Sequence, residues 1–186
     1  MALTYSLNAG GTSYSVVYNS CTTGAVTIPS TNNGLPVTAI SMQAFAGCAS
    51  IRSLIIPDSV TSIGLGAFRN SNLTNLTIPN SVTSIGNSVF DNCSKVTTIT
   101  IGSGLQTLGT QVFWGCTTLT KVIFLGNIPT GFSSLFFNNP VDLKIYRKKN
   151  FVTGWSSTFG GKPVVLLNDN VVKSGGAGKL TTKKRN

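Results

Sequence analysis

Five of the ten phenylalanines keep a step: Phe45, Phe68, Phe90, Phe113 and Phe136 are separated by 23, 22, 23 and 23 residues. A bulky apolar residue recurring at this period must occupy equivalent points of successive structural units, because one such unit cannot bury it alone and stacked units can. Further apolar columns share the register. Val37, Val60, Val82, Leu105 and Ile128 form one, and Ile40, Ile63, Ile85 and Leu108 a second. Ile51, Leu73, Val96 and Leu119 form a third, Leu54, Leu76, Ile99 and Val122 a fourth, and Ile56, Ile78, Ile101 and Phe124 a fifth. Gly64, Gly86 and Gly109 repeat as well, as do Pro57 and Pro79.

The unit therefore reads L-x-x-L-x-I-P-x-S-V-x-x-I-G-x-x-x-F-x-x-C, as in NLTNLTIPNSVTSIGNSVFDNC. Leu76 and Ile78 are two apart and share one face of a strand, and Pro79 cannot easily continue it, so each coil turns there. The glycine after the isoleucine is expected to permit the next backbone turn. Stacking predicts that every strand pairs with its copy in the next coil, at about 4.8 Å, with the phenylalanine column as core.

This pattern closely resembles the BspA-like class of leucine-rich repeat over about residues 24–140. The segment TYSLNAGGTSYSVV looks like the family's N-terminal hairpin, and VDLKIYRKKNFVTGWSSTFGGKPVVLL like its closing strand, short helix with a tryptophan, and last strand. The resemblance implies a mostly β, α/β-type repeat: a right-handed solenoid with a parallel sheet, short turns or helices in each coil, an N-terminal hairpin cap and a C-terminal cap. The predicted organisation is a capped solenoid over residues 1–169, with its cap at 141–169, and a basic Gly/Lys-rich arm at 170–186. Gly102 stands where the proline is expected, Ser71 and Asn139 replace the cysteine, and the fifth copy loses its I-G step, as in a solenoid tapering toward a cap.

Cys48, Cys93 and Cys116 each follow a phenylalanine of the column by three residues, which marks them as a buried ladder of small thiols. Adjacent coils give such residues parallel Cα to Cβ vectors, poor disulfide geometry, so all four cysteines, Cys21 included, are expected to be free. With no histidine and no CxxC pair, no metal site is expected.

Catalysis lacks its usual parts. There is no histidine and no glutamate, and Asp58, Asp91, Asp142 and Asp169 are scattered over turns and caps. A non-enzyme without cofactor is expected. The outward positions of the strands are Ser53, Ile55, Asn75, Thr77, Thr98, Thr100, Lys121 and Ile123, a weakly polar face for solvent or for a protein partner. Its threonine rank is interrupted by Ile55, Asn75 and Lys121, unlike an ice-binding face. Asn72, Asn75 and Asn92 match the glycosylation acceptor pattern, which a repeat this rich in Asn, Ser and Thr produces unaided.

Charge is uneven. The chain carries a net +10, and from Val141 onward ten basic residues face two acidic ones, which leaves +8 there. Arg147, Lys148, Lys149, Lys183, Lys184 and Arg185 are the candidate contacts to an acidic partner, the alternative for the arm being a solvated tail. No aromatic residue interleaves the arm's lysines, so base stacking is not expected if the partner is nucleic acid. Neither an export signal nor an apolar run long enough to span a membrane is expected in the sequence as written. These features point to an assembly component of a larger particle, such as a virion, that binds its other proteins. Two alternatives are a surface adhesin, which the resemblance implies, and a protein that meets nucleic acid or another acidic surface through the arm.

Overall fold

The computed structural model describes residues 3–17, 21, 24–150 and 154–167. Strands β1 (Tyr5–Leu7) and β2 (Tyr14–Val16) form an antiparallel hairpin, the expected N-terminal cap. The coils follow as β3 (Gly24–Thr27), β4 (Thr31–Asn32), β5 (Leu35–Ile40), β6 (Ile51–Ile55), β7 (Ser62–Ile63), β8 (Asn75–Ile78), β9 (Ser84–Ile85), β10 (Thr98–Ile101), β11 (Thr107–Leu108) and β12 (Lys121–Phe124). Three strands complete the described chain: β13 (Lys144–Lys148), β14 (Thr158–Phe159) and β15 (Lys162–Leu167).

Each full coil has three sides. One carries the parallel ladder β8-β10-β12-β13-β15, closed at its C-terminal edge by antiparallel β14. The second carries β2-β5-β7-β9-β11, mostly two-residue strands because the turn glycine follows at once. The third holds the phenylalanines in turns, yet it is laddered too: Phe45, Phe68 and Phe90 donate their N–H groups to Ala67, Val89 and Val112 of the next coil at 2.8, 3.0 and 2.9 Å. Between the three sides lies the predicted core. All five phenylalanine rings stack in file, with centroids 5.6, 5.5, 5.9 and 5.4 Å apart and the planes tilted by at most 18°. Phe124, Phe132, Trp155 and Phe159 close the C-terminal end as an aromatic cluster.

Hydroxyls outside the core also ladder. Thr74 and Thr120 each donate Oγ1–H to the coil before, to Arg52 O and Thr97 O at 3.2 and 3.3 Å. The cysteine column does the same from inside. Cys93 and Cys116 donate Sγ–H to Phe68 O and Phe90 O at 3.0 Å, and Asn139 donates Nδ2–H to Phe113 O at 2.9 Å. The departure at Asn139 therefore keeps the donor while changing the residue.

Four expectations need correction. First, Gly64, Gly86 and Gly109 do stand directly before the expected turn, but the reason is not a left-handed conformation, since none has a positive φ. They are there because a Cβ on Gly109 would lie 2.5 Å from the backbone of Asn87 and Gly86 in the coil before, and one on Gly86 would lie 2.8 Å from Leu65 N. The left-handed turns fall elsewhere, in two columns: Gln43, Gly66, Ser88, Gln111 and Ser134, and then Gly47, Asn70, Asn92, Gly115 and Asn138. Gly109→Ala should therefore cost about 1–3 kcal/mol by overpacking. Gly10→Ala, whose Cβ would meet nothing closer than 3.7 Å, should stay within about 0.5 kcal/mol. Equal urea midpoints for the two variants would remove close approach as the reason for the glycine column.

Second, the cysteines are not all free: Cys21 and Cys48 form a disulfide with Cα atoms 5.0 Å apart, while Cys93 and Cys116 are free and buried. The rule against bridging holds for equivalent positions of adjacent coils, and Cys21 is not such a position.

Third, the strand ladder is interrupted. β3 and β6 make a two-stranded sheet of their own, and β8 does not continue it. Among the described backbone bonds only Thr74 N–H to Arg52 O, at 3.1 Å, ties the start of β8 to β6. The coil feeding β8 is one residue short: five positions separate Phe68 from Leu73, where six separate Phe90 from Val96 and Phe113 from Leu119.

Fourth, the coils use short turns, as expected, but the cap shows no helix at Trp155, which is irregular between a turn at Gly154 and a bend at Ser157; residues 151–153 of the expected cap helix lie outside the described residues. The predicted arm, 170–186, also lies outside the described residues.

Candidate interaction surface

Alternation along each strand decides what the sheet shows to the outside. Leu76, Ile99, Val122 and Ile145 are cross-strand partners and all are buried. Their neighbours point the other way and form two rows across the ladder. The first runs Asn75, Thr98, Lys121, Lys144, and the second Thr77, Thr100, Ile123, Tyr146, Val165, each residue the register partner of the next. On the separate sheet, Ser53 pairs with Ala25 and Ile55 with Thr27, and both Ser53 and Ile55 are exposed. Every outward position read from the repeat thus lies on this side.

The break between β6 and β8 gives the side its relief. A cleft of about 720 Å³ opens there, lined by Ile55, Asn75, Thr77, Thr98 and Thr100 of the predicted set, and also by Asp58, Asn80 and Leu125. Ile55 is 62% exposed and gives the cleft an apolar side chain open to solvent. Asn75 is held in place by Thr97, whose Oγ1–H donates to Asn75 Oδ1 at 2.9 Å. Ser53, Lys121 and Ile123 are outside the cleft lining, so the predicted set divides into a cleft and its flanks. Periodicity alone gave no cleft; its signal was the single 22-residue step among steps of 23.

The basic cap is also divided. Lys144, Tyr146 and Lys148 alternate outward along β13, whereas Arg147 pairs with buried Phe124, is half-buried itself, and donates Nη1–H to Lys148 O at 3.3 Å. Lys149 is exposed just past the strand. Lys183, Lys184 and Arg185 lie outside the described residues. A feature that sequence reading missed lies on the phenylalanine side, where the residues after the column phenylalanines give an Arg69–Asp91 ion pair at 3.0 Å and a Trp114–Phe137 stack with centroids 4.3 Å apart.

The free thiols are poor nucleophiles. Burial pushes the Cys93 thiol up to about 11, against a weaker opposing hydrogen bond from Ser71, and burial raises the Cys116 thiol as well, so both are protonated near neutral pH. Among the described residues no helix is long and apolar enough to cross a membrane.

Stacked coils with a parallel sheet on one side and an inward leucine, isoleucine and phenylalanine register define a leucine-rich repeat solenoid. The chain belongs to the BspA-type leucine-rich repeat family, whose model matches six copies over residues 13–146. That span takes in β2 and most of β13, beyond the limits read from the sequence. The chain is similar to the crystal structure of the leucine-rich repeat protein TpLRR of T. pallidum, with 21% identity, 87% of this chain and 88% of that one covered, and a TM-score of 0.51. It is also similar to a leucine-rich cell surface protein of Faecalibacterium prausnitzii A2-165, at 25% identity over 66% of this chain and 40% of that one, with a TM-score of 0.43. A leucine-rich repeat protein of Bacteroides ovatus ATCC 8483 matches at 18% identity over 89% and 75% of the two chains, with a TM-score of 0.28. No curated protein matches the chain significantly.

Proposed function

We propose that the protein is a non-catalytic interaction module that holds a partner protein against its sheet face. The cleft between β6 and β8 carries this reading: its lining combines an exposed isoleucine with threonine hydroxyls and asparagine amides. Such a seat offers an apolar contact surrounded by adaptable hydrogen-bonding groups, and its rigid strands limit the entropy lost on binding. The chemistry present supports binding over catalysis, since the chain has no histidine or glutamate and its two free thiols stay protonated. The Cys21–Cys48 bond suits an oxidising setting such as a cell or particle surface.

A second reading rests on the charge of the C-terminal region. Exposed Lys144 and Lys149, with the arm that carries Lys183, Lys184 and Arg185, would attach the solenoid to an acidic surface of a larger assembly, a virion or a nucleic-acid-bearing particle included.

Photo-crosslinking separates face from flank. A photoreactive side chain placed at Thr77 or Thr98 should capture the partner in the native source, whereas one at exposed Gln111, which lies in a turn of the phenylalanine side, should not. Equal capture at Gln111, or capture there alone, would defeat the sheet-face reading.

A further inference from the structure

Lys121 and Lys144 are register partners on adjacent parallel strands, so two lysine side chains leave the same sheet face one strand apart. Both are exposed. Like charges directly opposite one another oppose strand pairing, and threonine or asparagine fills the same row in β8 and β10 without that penalty. Among the described residues no acid on the sheet offsets the pair, and Asp169 lies outside them. Asp58 lines the cleft, Asp91 is occupied by Arg69 on the phenylalanine side, and Asp142 makes no ion pair among the described residues. The neighbouring row gives the pair an apolar border of Ile123, Tyr146 and Val165, all half-exposed.

We infer that the C-terminal half of the sheet face docks an acidic segment of a partner protein, its carboxylates set against Lys121 and Lys144 and its apolar side chains along Ile123, Tyr146 and Val165. This rests on the sheet-face reading above and supplies the partner's chemistry. Charge complementarity selects the anion: a carboxylate between the two ammonium groups turns a repulsion into two attractions. The apolar border selects protein over nucleic acid. Phosphate backbones call for cations tracking their path, and this row turns neutral at Thr98 and Asn75 while the next row offers aliphatic surface.

The test uses the full chain and three fluorescent probes: a short peptide in which glutamates alternate with valine or leucine, the same peptide with glutamine in place of glutamate, and a single-stranded RNA oligomer of equal charge. The acidic peptide should bind best, and its affinity should fall with added salt as exposed charges are screened. Lys121→Glu combined with Lys144→Glu should weaken it by about tenfold or more, and Ile123→Ser by several-fold. The arm is present in wild type and variant alike, so its charge cancels from that comparison. Lys144→Glu alone should raise Tm, because it sets a carboxylate opposite Lys121; a lowered Tm would mean that the two lysines do not face each other. Unchanged binding to the double variant, or a larger loss of RNA affinity than of acidic-peptide affinity in that variant, would overturn the proposal. If crosslinks at Thr77 and Thr98 persist in that case, the sheet-face reading stands without its acidic partner; if they fail too, both readings fall.

Discussion

Phe90→Ala is expected to destabilise the protein by about 3–5 kcal/mol, read as a lowered urea midpoint at unchanged slope. The ring is almost fully buried and stacked on both sides, with Phe68 5.5 Å away and Phe113 5.9 Å away. Removing it leaves a gap that neither neighbour can fill, because each backbone is fixed by the bonds Phe68 N–H to Val89 O and Phe90 N–H to Val112 O. The size of the effect has a built-in control. Phe137 is 57% exposed and, among the described residues, stacks on Trp114 alone, so Phe137→Ala should cost about 0.5–1.5 kcal/mol. In a solenoid each coil is stabilised by its two neighbours, so a lesion in the middle of the file weakens both interfaces at once. A loss below about 1 kcal/mol for Phe90→Ala would show that the file does not carry the core.

The inward columns were legible in the sequence because burial acts on side-chain type: a residue that must be apolar in every coil announces its period. Val60, Val82 and Leu105, or Leu76, Ile99 and Val122, all sit in the core where their spacing put them. Outward positions were legible by the same alternation, read in reverse. Backbone requirements were harder to see. The left-handed column Gln43, Gly66, Ser88, Gln111, Ser134 keeps no single residue type, and four of its five members accept the cost of a positive φ. The column Gly47, Asn70, Asn92, Gly115, Asn138 answers the same requirement with the two residues that tolerate it best. Glycine at Gly64, Gly86 and Gly109 was visible while its cause was not, because a glycine needed for close approach and one needed for a positive φ look alike in a sequence. The pairing of Lys121 with Lys144 was within reach, since they too are 23 residues apart. The cleft coincides with one missing residue before β8, and the period registers that deletion without saying which side of the coil opens.

Reduction of the Cys21–Cys48 bond should lower stability by about 3–4 kcal/mol, the second large effect expected of this chain. The two cysteines are 27 residues apart, so the bond closes a loop that spans β3, β4 and β5, and opening it returns that entropy to the unfolded chain. Native contacts here are thinner than in the middle of the solenoid: among the described residues β3 belongs to a two-stranded sheet and pairs with no strand other than β6. The expected result is a lower urea midpoint in reductant than without it, and Cys21→Ala should behave in either buffer like reduced wild type. Alkylation of unfolded, unreduced protein should label two thiols, Cys93 and Cys116. Four labelled thiols would mean that the bond does not form, and the support it lends to an oxidising, surface setting would go with it. Two labelled thiols with no change in midpoint would mean that the hairpin of β1 and β2, with β5 bonded to it, already fixes this end of the solenoid without the crosslink.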